Sequence, residues 1–374
     1  MNILVTGADG FIGKNLVTRL HELPQFTVST FVRGDSDETL KNKLFGVDTI
    51  IHLAGENRPT SEEGFQIGNV DFTHRLCNFL RELKKPVRLI LSSSAQAALD
   101  NAYGKSKLAA EGCVELFAED TGSSVVIYRL PGVFGKWCKP NYNSVVATFC
   151  HNLANDLPIT INDPSRELTL VYIDDVITSF VGFLCEDRSK GLLRKSVTPE
   201  YRTTLADLAY QIKKFGNCRS DLLSERVGKD FTRALYATYV SYLPKDKFQY
   251  QIPSHEDARG VFVEMLKTKD SGQFSFFTAH PGITRGGHYH HTKTEKFLVI
   301  KGNARFRFRH IVTDEVLSVD TSGKTPTIVE TSPGWSHDIT NSGDDELIVM
   351  LWANEIFDQD KPDTIASTIG NEKA

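Results

Sequence analysis

Neither sign of charge is in excess: 43 Lys and Arg stand against 47 Asp and Glu, a formal net charge of -4. That gives no reason to expect nucleic acid or an acidic membrane surface as a partner. No apolar run approaches the length of a bilayer span, so membrane insertion is not expected. The start, Met-Asn and then an apolar strand, has no basic n-region and no cleavage site. Cysteine is sparse and unpatterned: Cys77, Cys113, Cys138, Cys150, Cys185 and Cys218 include no Cys-x-x-Cys spacing, and none lies near the histidine-rich stretch. This favours reduced, mostly buried thiols and a cytoplasmic setting. Internal repeats and low-complexity segments are also missing. What remains is a chain of 374 residues with 40% hydrophobic and 24% charged residues, too long for one ordinary core and best read as two domains.

The first domain announces itself at once. Ile3-Leu4-Val5 reads as a buried strand, followed by a loop with Gly7, Gly10 and Gly13 and then an amphipathic helix through Leu20. Glycines at that spacing let the strand turn sharply and let backbone N–H groups and the helix N-terminus approach a pyrophosphate. The second strand, Thr27 to Val32, ends at Arg33, where an acid would suit a ribose diol and a base suits a 2′-phosphate; this points to NADPH. Asp48 to Gly55 is a third strand running into a small-residue loop, where adenosine and ribose would lie. Leu89 to Ser94 is a fourth, ending in hydroxyls.

Tyr103 and Lys107 are four apart and share a face if helical. An ammonium beside a phenol lowers the phenol's pKa, and Ser94 can hold a carbonyl oxygen between them, so the set suits proton transfer coupled to hydride transfer. Taken alone, Tyr-x-x-x-Lys is more often a solvated helix face. Here the glycine loop upstream supports the catalytic alternative.

Together with Arg129-Leu-Pro-Gly-Val-Phe-Gly135 and Val171-Tyr-Ile-Asp-Asp-Val176, these motifs resemble the extended short-chain dehydrogenase/reductases, the nucleotide-sugar epimerases, dehydratases and reductases. The resemblance covers roughly residues 1–245 and implies a Rossmann-type doubly wound parallel sheet. It implies that Ser94, Tyr103 and Lys107 are catalytic. For NADPH it implies contacts from Gly7, Asp9, Gly10, Phe11, Ile12 and Gly13, and from Arg33 at the second strand. Leu53, Ala54, Gly55, Asn69, Ser92, Tyr103 and Lys107 would also contact the cofactor, with Pro131, Val133 and Phe134 flanking the nicotinamide. Two departures concern the substrate side: a short Ser94–Tyr103 interval, and Gly132 where Asn is common.

Helical patterns follow at Leu205–Phe215 and Arg233–Tyr242, then a polar, proline-containing stretch, Leu243 to Lys247, that reads as a linker. From residue 246 to 374 the texture changes to short strands: Val261–Leu266, Phe274–Thr278, Phe297–Ile300, Ala304–His310, Leu317–Val319, Thr327–Val329 and Leu347–Trp352. This suggests an antiparallel barrel or jelly roll. His288 and His290, two apart, face one way on a strand, and Glu295 follows after a short turn. Two imidazoles and a carboxylate make three walls of a first-row metal site, with His337 the candidate fourth ligand. His291 should face outward, toward the surface.

Gly282-x5-His288-x-His290-x4-Glu295-x6-Gly302 resembles the first cupin motif, and Pro333-Gly-Trp-Ser-His337-x3-Asn341 an altered second one. The resemblance implies His288, His290, Glu295 and His337 as ligands of a divalent metal, zinc first. Asp257 to Glu264 and Arg285-Gly-Gly-His288-Tyr are also similar to the dTDP-4-dehydrorhamnose 3,5-epimerases, in which the matching histidine is a base; His288 is therefore read either as ligand or as base. A polar core without metal is the third reading.

Over its whole length the chain resembles a group of two-domain enzymes of capsular polysaccharide and O-antigen synthesis. The stretches Gly135 to Ser144 and Leu235 to Leu243 carry this finer likeness. It implies a UDP-linked 4-keto-6-deoxy-N-acetylhexosamine substrate, epimerised at C3 in the cupin and reduced at C4 with NADPH, and a homodimer. The alternatives are a reductase whose cupin only dimerises the chain, and a protein that binds a nucleotide without turning it over.

Overall fold

The apolar runs at residues 3–5, 50–51, 89–91 and 125–127 are buried throughout, as strands covered on both faces must be. The computed structural model, which describes residues 1–186, 191–257, 260–263, 266–268, 272–355 and 360–370, builds from them β1 (Asn2–Thr6), β3 (Thr49–His52), β4 (Arg88–Ser94) and β5 (Ser124–Leu130). With β2 (Thr27–Phe31) and β6 (Gly191–Lys195) they form an all-parallel sheet of order β2-β1-β3-β4-β5-β6. Each aliphatic side chain so buried contributes about 1.5–3 kcal/mol. Helix α1 (Phe11–His21) packs with Ile173–Cys185, and α2 (Phe72–Glu82) with α3 (Ala102–Thr121). The Asn101 side chain caps α3, its Oδ1 accepting from the Gly104 N–H at 2.7 Å.

One consequence of parallel strands decides where chemistry can occur. The residues that follow β1, β2, β3, β4 and β5 all emerge at the same, carboxyl edge. The chain first steps from β1 to β2 and then reverses to β3, so the β1/β3 boundary is the switch point at which such sheets bind ligands.

The chain packs as two units, Met1–Ser144 with Leu168–Arg202, and Val145–Glu167 with Thr203–Ala374. Helices Val145–Ala154, Leu205–Asp221 and Asp230–Val240 thus belong to the unit of the C-terminal strands, whereas the division expected after residue 245 puts them with the parallel sheet. The physical reason is polar as well as apolar. Lys296, 1% exposed, reaches Glu330, and Glu330 also accepts from Arg219 (2.5 Å) and Tyr236 (3.2 Å) of the helices. The expected linker is a packed turn: Leu243 is buried and Lys247 Nζ donates to the Ala154 carbonyl at 2.9 Å.

The second unit holds two antiparallel five-stranded sheets. Its strands are β7 (Gln249–Gln251), β8 (Gln273–Ala279), β9 (Thr284–Tyr289), β10 (Glu295–Lys301), β11 (Asn303–His310), β12 (Val316–Ser322), β13 (Thr327–Glu330), β14 (Trp335–Asn341), β15 (Leu347–Ala353) and β16 (Ile365–Ala366). One sheet has the order β7-β13-β10-β15-β8 and the other β12-β11-β14-β9-β16. Phe297 of β10 packs against Phe306 of β11 with centroids 5.5 Å apart and the rings tilted by 57°, which brings the sheets face to face. The expected α/β plus all-β class is what the chain adopts. The epimerase-like stretch from Asp257 to Glu264 is only partly visible, because Ala258, Arg259 and Glu264 lie outside the described residues.

Replacing Glu330 by Leu strands the buried Lys296 and the half-buried Arg219, and is expected to destabilise this unit by about 3–5 kcal/mol. Thermal unfolding of the variant reads this directly; an unchanged midpoint would mean that the pair is dispensable.

Candidate functional site

At the switch point Gly7 adopts φ 69°, and a Cβ there would lie 2.7 Å from the Ala54 backbone nitrogen. Gly13 is tighter, since its Cβ would meet the Gly7 carbonyl oxygen at 2.2 Å. Only glycine lets the loop and α1 close this far, and Gly10 stands at the N-cap of that helix. Asp9 is exposed and Phe11 and Ile12 half-buried on the first turn; Leu53 and Ala54 are half-buried and Gly55 exposed across from them. His52 ties the end of β1 to α2: burial, with Lys107 adding to it, pushes its pKa down to about 3, and its ring meets Thr6 Oγ1 at 2.7 Å and Thr73 Oγ1 at 2.9 Å.

Tyr103 and Lys107 sit in the first turns of α3, as their spacing predicts. The hydroxyl of Ser94, last residue of β4, bonds to the Tyr103 phenol. Burial raises the phenol's pKa and this bond pulls it down only in part. The lysine effect expected at the phenol is not what the structure shows. Lys107 is buried, its pKa is pushed down to about 8 by desolvation against the opposing charge of Glu111, and its ammonium donates to the Ser92 carbonyl at 2.8 Å. Glu111, one further turn along α3, is 1% exposed and gripped by Arg129 through Nε (3.0 Å) and Nη2 (2.7 Å). It was recoverable from the sequence as the next member of the 103, 107, 111 stripe.

Asn69 is buried and joins the two sides: its Nδ2 donates to the Ser106 hydroxyl at 2.9 Å and to the Glu56 carbonyl at 3.0 Å. Arg33 is exposed at the end of β2 and pairs with Glu56 at 2.7 Å. Pro131 and Val133 are half-buried near the same edge, but the Phe134 side chain is fully buried against Tyr172, so only its backbone could face a ligand. A 3-10 turn, Ala95–Ala98, occupies the short interval between Ser94 and Tyr103.

A second cluster lies in the other unit. His288 (β9), His290 (just past β9), Glu295 (first residue of β10) and His337 (β14) bring potential ligand atoms within 4.8 Å of one another, and all but His288 are buried. His290 Nδ1 donates to the Asp363 carbonyl, which leaves a lone pair on Nε2. That atom lies 3.2 Å from Glu295 Oε2, and His337 Nε2 is equally far from the same oxygen. Burial lowers His288 to about 4 and also lowers His337, so these imidazoles carry free lone pairs at neutral pH. Burial alone would raise Glu295, but the His290 and His337 contacts outweigh it and keep the carboxylate ionised. Acceptors aimed at one another call for a cation between them, and two imidazole nitrogens converge on the one Glu295 oxygen. Three nitrogens and one oxygen suit zinc, whose tetrahedral ligands stand about 3.3 Å apart.

Asp363, missed by sequence reasoning because 73 residues separate it from His290, holds the turn: its carboxylate accepts from the N–H groups of His291 (2.8 Å), Thr292 (2.6 Å) and Lys293 (2.8 Å). His291, expected at the surface, is half-buried beside Tyr289 for the same reason. Among the described residues, no helix is long and apolar enough to cross a membrane, and all six cysteines are free, four of them buried.

Comparison with known proteins places this geometry. Residues 3–191 match the NAD dependent epimerase/dehydratase family and residues 255–365 the polysaccharide biosynthesis C-terminal domain. The chain is 54% identical over 370 residues, 99% of each chain, to UDP-2-acetamido-2,6-beta-L-arabino-hexul-4-ose reductase of Pseudomonas aeruginosa. It is 40% identical to the capsular polysaccharide assembling protein CapF of Staphylococcus aureus, with a TM-score of 0.67 over 98% of this chain and 100% of that one. A UDP-glucuronic acid 4-epimerase of Bacillus cereus shares the fold at 21% identity and a TM-score of 0.52, over 58% of this chain and 83% of its own. With a glycine-lined switch point, serine, tyrosine and lysine at its edge, and a full-length match to the first two of these relatives, the chain belongs to the NAD dependent epimerase/dehydratase family, in the group with a polysaccharide biosynthesis C-terminal domain that includes CapF.

Proposed function

We propose that the chain is a bifunctional nucleotide-sugar enzyme acting on UDP-2-acetamido-2,6-dideoxy-4-hexulose. In this reading the C-terminal, cupin-like unit inverts C3, and the N-terminal unit reduces the C4 ketone with NADPH to UDP-2-acetamido-2,6-dideoxy-L-talose. The observation that carries it is the half-buried phenol of Tyr103, hydrogen-bonded to Ser94 one helical turn from Lys107. A phenol kept protonated at neutral pH is an acid, which suits reduction of a ketone.

The nicotinamide, when bound, supplies the hydride. Ser94 orients the ketone oxygen and Tyr103 gives that oxygen its proton. Lys107, whose ammonium rests on the Ser92 carbonyl and not on the phenol, adds positive charge one turn away when the phenolate forms, and Asn69 ties the cofactor loop to α3 through Ser106. Arg33, exposed at the end of β2, favours a 2′-phosphate and hence NADPH. In the second unit His288, His290, Glu295 and His337 would hold a divalent metal, zinc first, which when bound would polarise a ketone or brace the sheets. A C–H beside a ketone is acidic, so a neutral imidazole in this cluster can take the C3 proton. A homodimer and a role in capsule or O-antigen synthesis complete the reading, the capsule role supported by the likeness to the capsular polysaccharide assembling protein CapF.

Incubating the protein with the UDP-4-keto sugar in D₂O, with and without NADPH, tests both halves. Deuterium at C3 without cofactor, and NADPH oxidation with it, are expected. Oxidation without exchange would leave a reductase whose C-terminal unit only braces or dimerises the chain.

Two further outcomes are expected. Because Lys107 loses its charge as pH rises through about 8, the reduction rate should fall above that pH in a pH–rate profile. Lys107→Arg, which stays charged, should remove that limb from the measured range. Asp363→Ala should weaken metal binding by about 10–100-fold, read by chelator competition on the resting protein, because it frees the turn that orients His290.

A further inference from the structure

We infer that Glu56 tunes the choice between phosphorylated and unphosphorylated nicotinamide dinucleotides, by competing with the 2′-phosphate for Arg33. The inference rests on the cofactor reading of the carboxyl edge. Dinucleotide sites that accept a free ribose diol place a carboxylate at the end of the second strand. In this chain that position is Arg33, and the nearby carboxylate comes instead from the loop after β3, on the far side of β1.

Glu56 is not a mobile surface acid. Its N–H donates to Asn69 Oδ1 at 2.7 Å and its carbonyl accepts from Asn69 Nδ2 at 3.0 Å. A Cβ on Gly68 would lie 2.9 Å from the Glu56 Cβ, so the turn before α2 packs closely on this residue. Both carboxylate oxygens are used, Oε2 by Arg33 at 2.7 Å and Oε1 by the Tyr142 hydroxyl at 3.3 Å. The Glu56 side chain is 19% exposed while that of Arg33 is 88% exposed, so the acid is anchored and the base is free to swing.

A 2′-phosphate must therefore draw Arg33 off an anchored carboxylate and then sit near that negative charge. A 2′-hydroxyl needs neither and can donate to Glu56. The ion pair alone is weak because the guanidinium is exposed. Repulsion between Glu56 and a phosphate dianion adds to it. Glu56 thereby restrains the preference that Arg33 creates.

The test measures dissociation constants for NADPH and NADH by fluorescence titration of the full chain, in wild type, Glu56→Gln, Arg33→Met and the double variant. Glu56→Gln should tighten NADPH by about three- to ten-fold and leave NADH within about two-fold. Arg33→Met should weaken NADPH at least about ten-fold, and the gain from Glu56→Gln should shrink in that background, because no guanidinium remains to be released. A Glu56→Gln variant that weakens NADPH, or shifts both dinucleotides equally, would overturn the inference and make Glu56 a loop anchor. Wild-type protein that binds neither dinucleotide would instead remove the cofactor reading itself.

Discussion

Replacing Tyr103 by Phe is expected to lower NADPH-dependent reduction by about 10²–10⁴-fold, the range that a positioned proton donor contributes. The substitution keeps the ring, and with it the packing against Phe65 at 5.8 Å, so folding should be untouched. What disappears is the only atom at this position that can hand a proton to the new alkoxide. Ser94 cannot replace it, since an aliphatic hydroxyl is a far weaker acid than a phenol. Stopped-flow oxidation of NADPH with the UDP-4-keto sugar checks this, and dissociation constants for NADPH should change little. A modest loss would mean that a water or Lys107 delivers the proton, and the site would need to be redrawn.

Much of this edge was legible in the sequence because its determinants are local. Gly7, Gly10 and Gly13 lie within seven residues, and Tyr103, Lys107 and Glu111 fall on one helix at a four-residue step. Parallel strands then carry separate loops to a common edge, which alternation of apolar runs and helices already implies. The pairing of Arg33 with Glu56 was not legible, since it depends on the β2-β1-β3 order and on a clamp from Asn69. In the second unit, the buried strands with aliphatic runs were recognisable, among them Glu295–Lys301 and Leu347–Ala353. The His288-x-His290 alternation marked a strand at Thr284–Tyr289, but Trp335–Asn341 was not recognisable, because histidine and other polar residues replace the aliphatic pattern at the cluster itself. The grouping of the helices with the C-terminal sheets was hidden for another reason: it turns on Lys296, Glu330 and Arg219, charged residues that sequence reasoning assigns to the surface.

Replacing His288 by Ala is expected to abolish deuterium incorporation at C3 while leaving cofactor-dependent oxidation at the other unit intact for an already epimerised ketone. His288 is the least buried of the four clustered residues, its ring centroid lies 4.7 Å from that of His337 and 5.0 Å from that of His290, and burial holds it neutral. A neutral imidazole has a single lone pair, so His288 can serve a metal or a C3 proton but not both through one nitrogen. The donor set favours the metal: removing one of four ligands should cost more affinity than the about 10–100-fold lost with an outer partner. Metal content of the purified variant, measured beside C3 exchange, separates the roles. Loss of both metal and exchange makes His288 a ligand and the cluster a catalytic metal site. Exchange lost with metal retained makes it the base, with His290, Glu295 and His337 holding the ion. Exchange that survives His288→Ala, and survives His290→Ala as well, would take the epimerisation away from this cluster altogether.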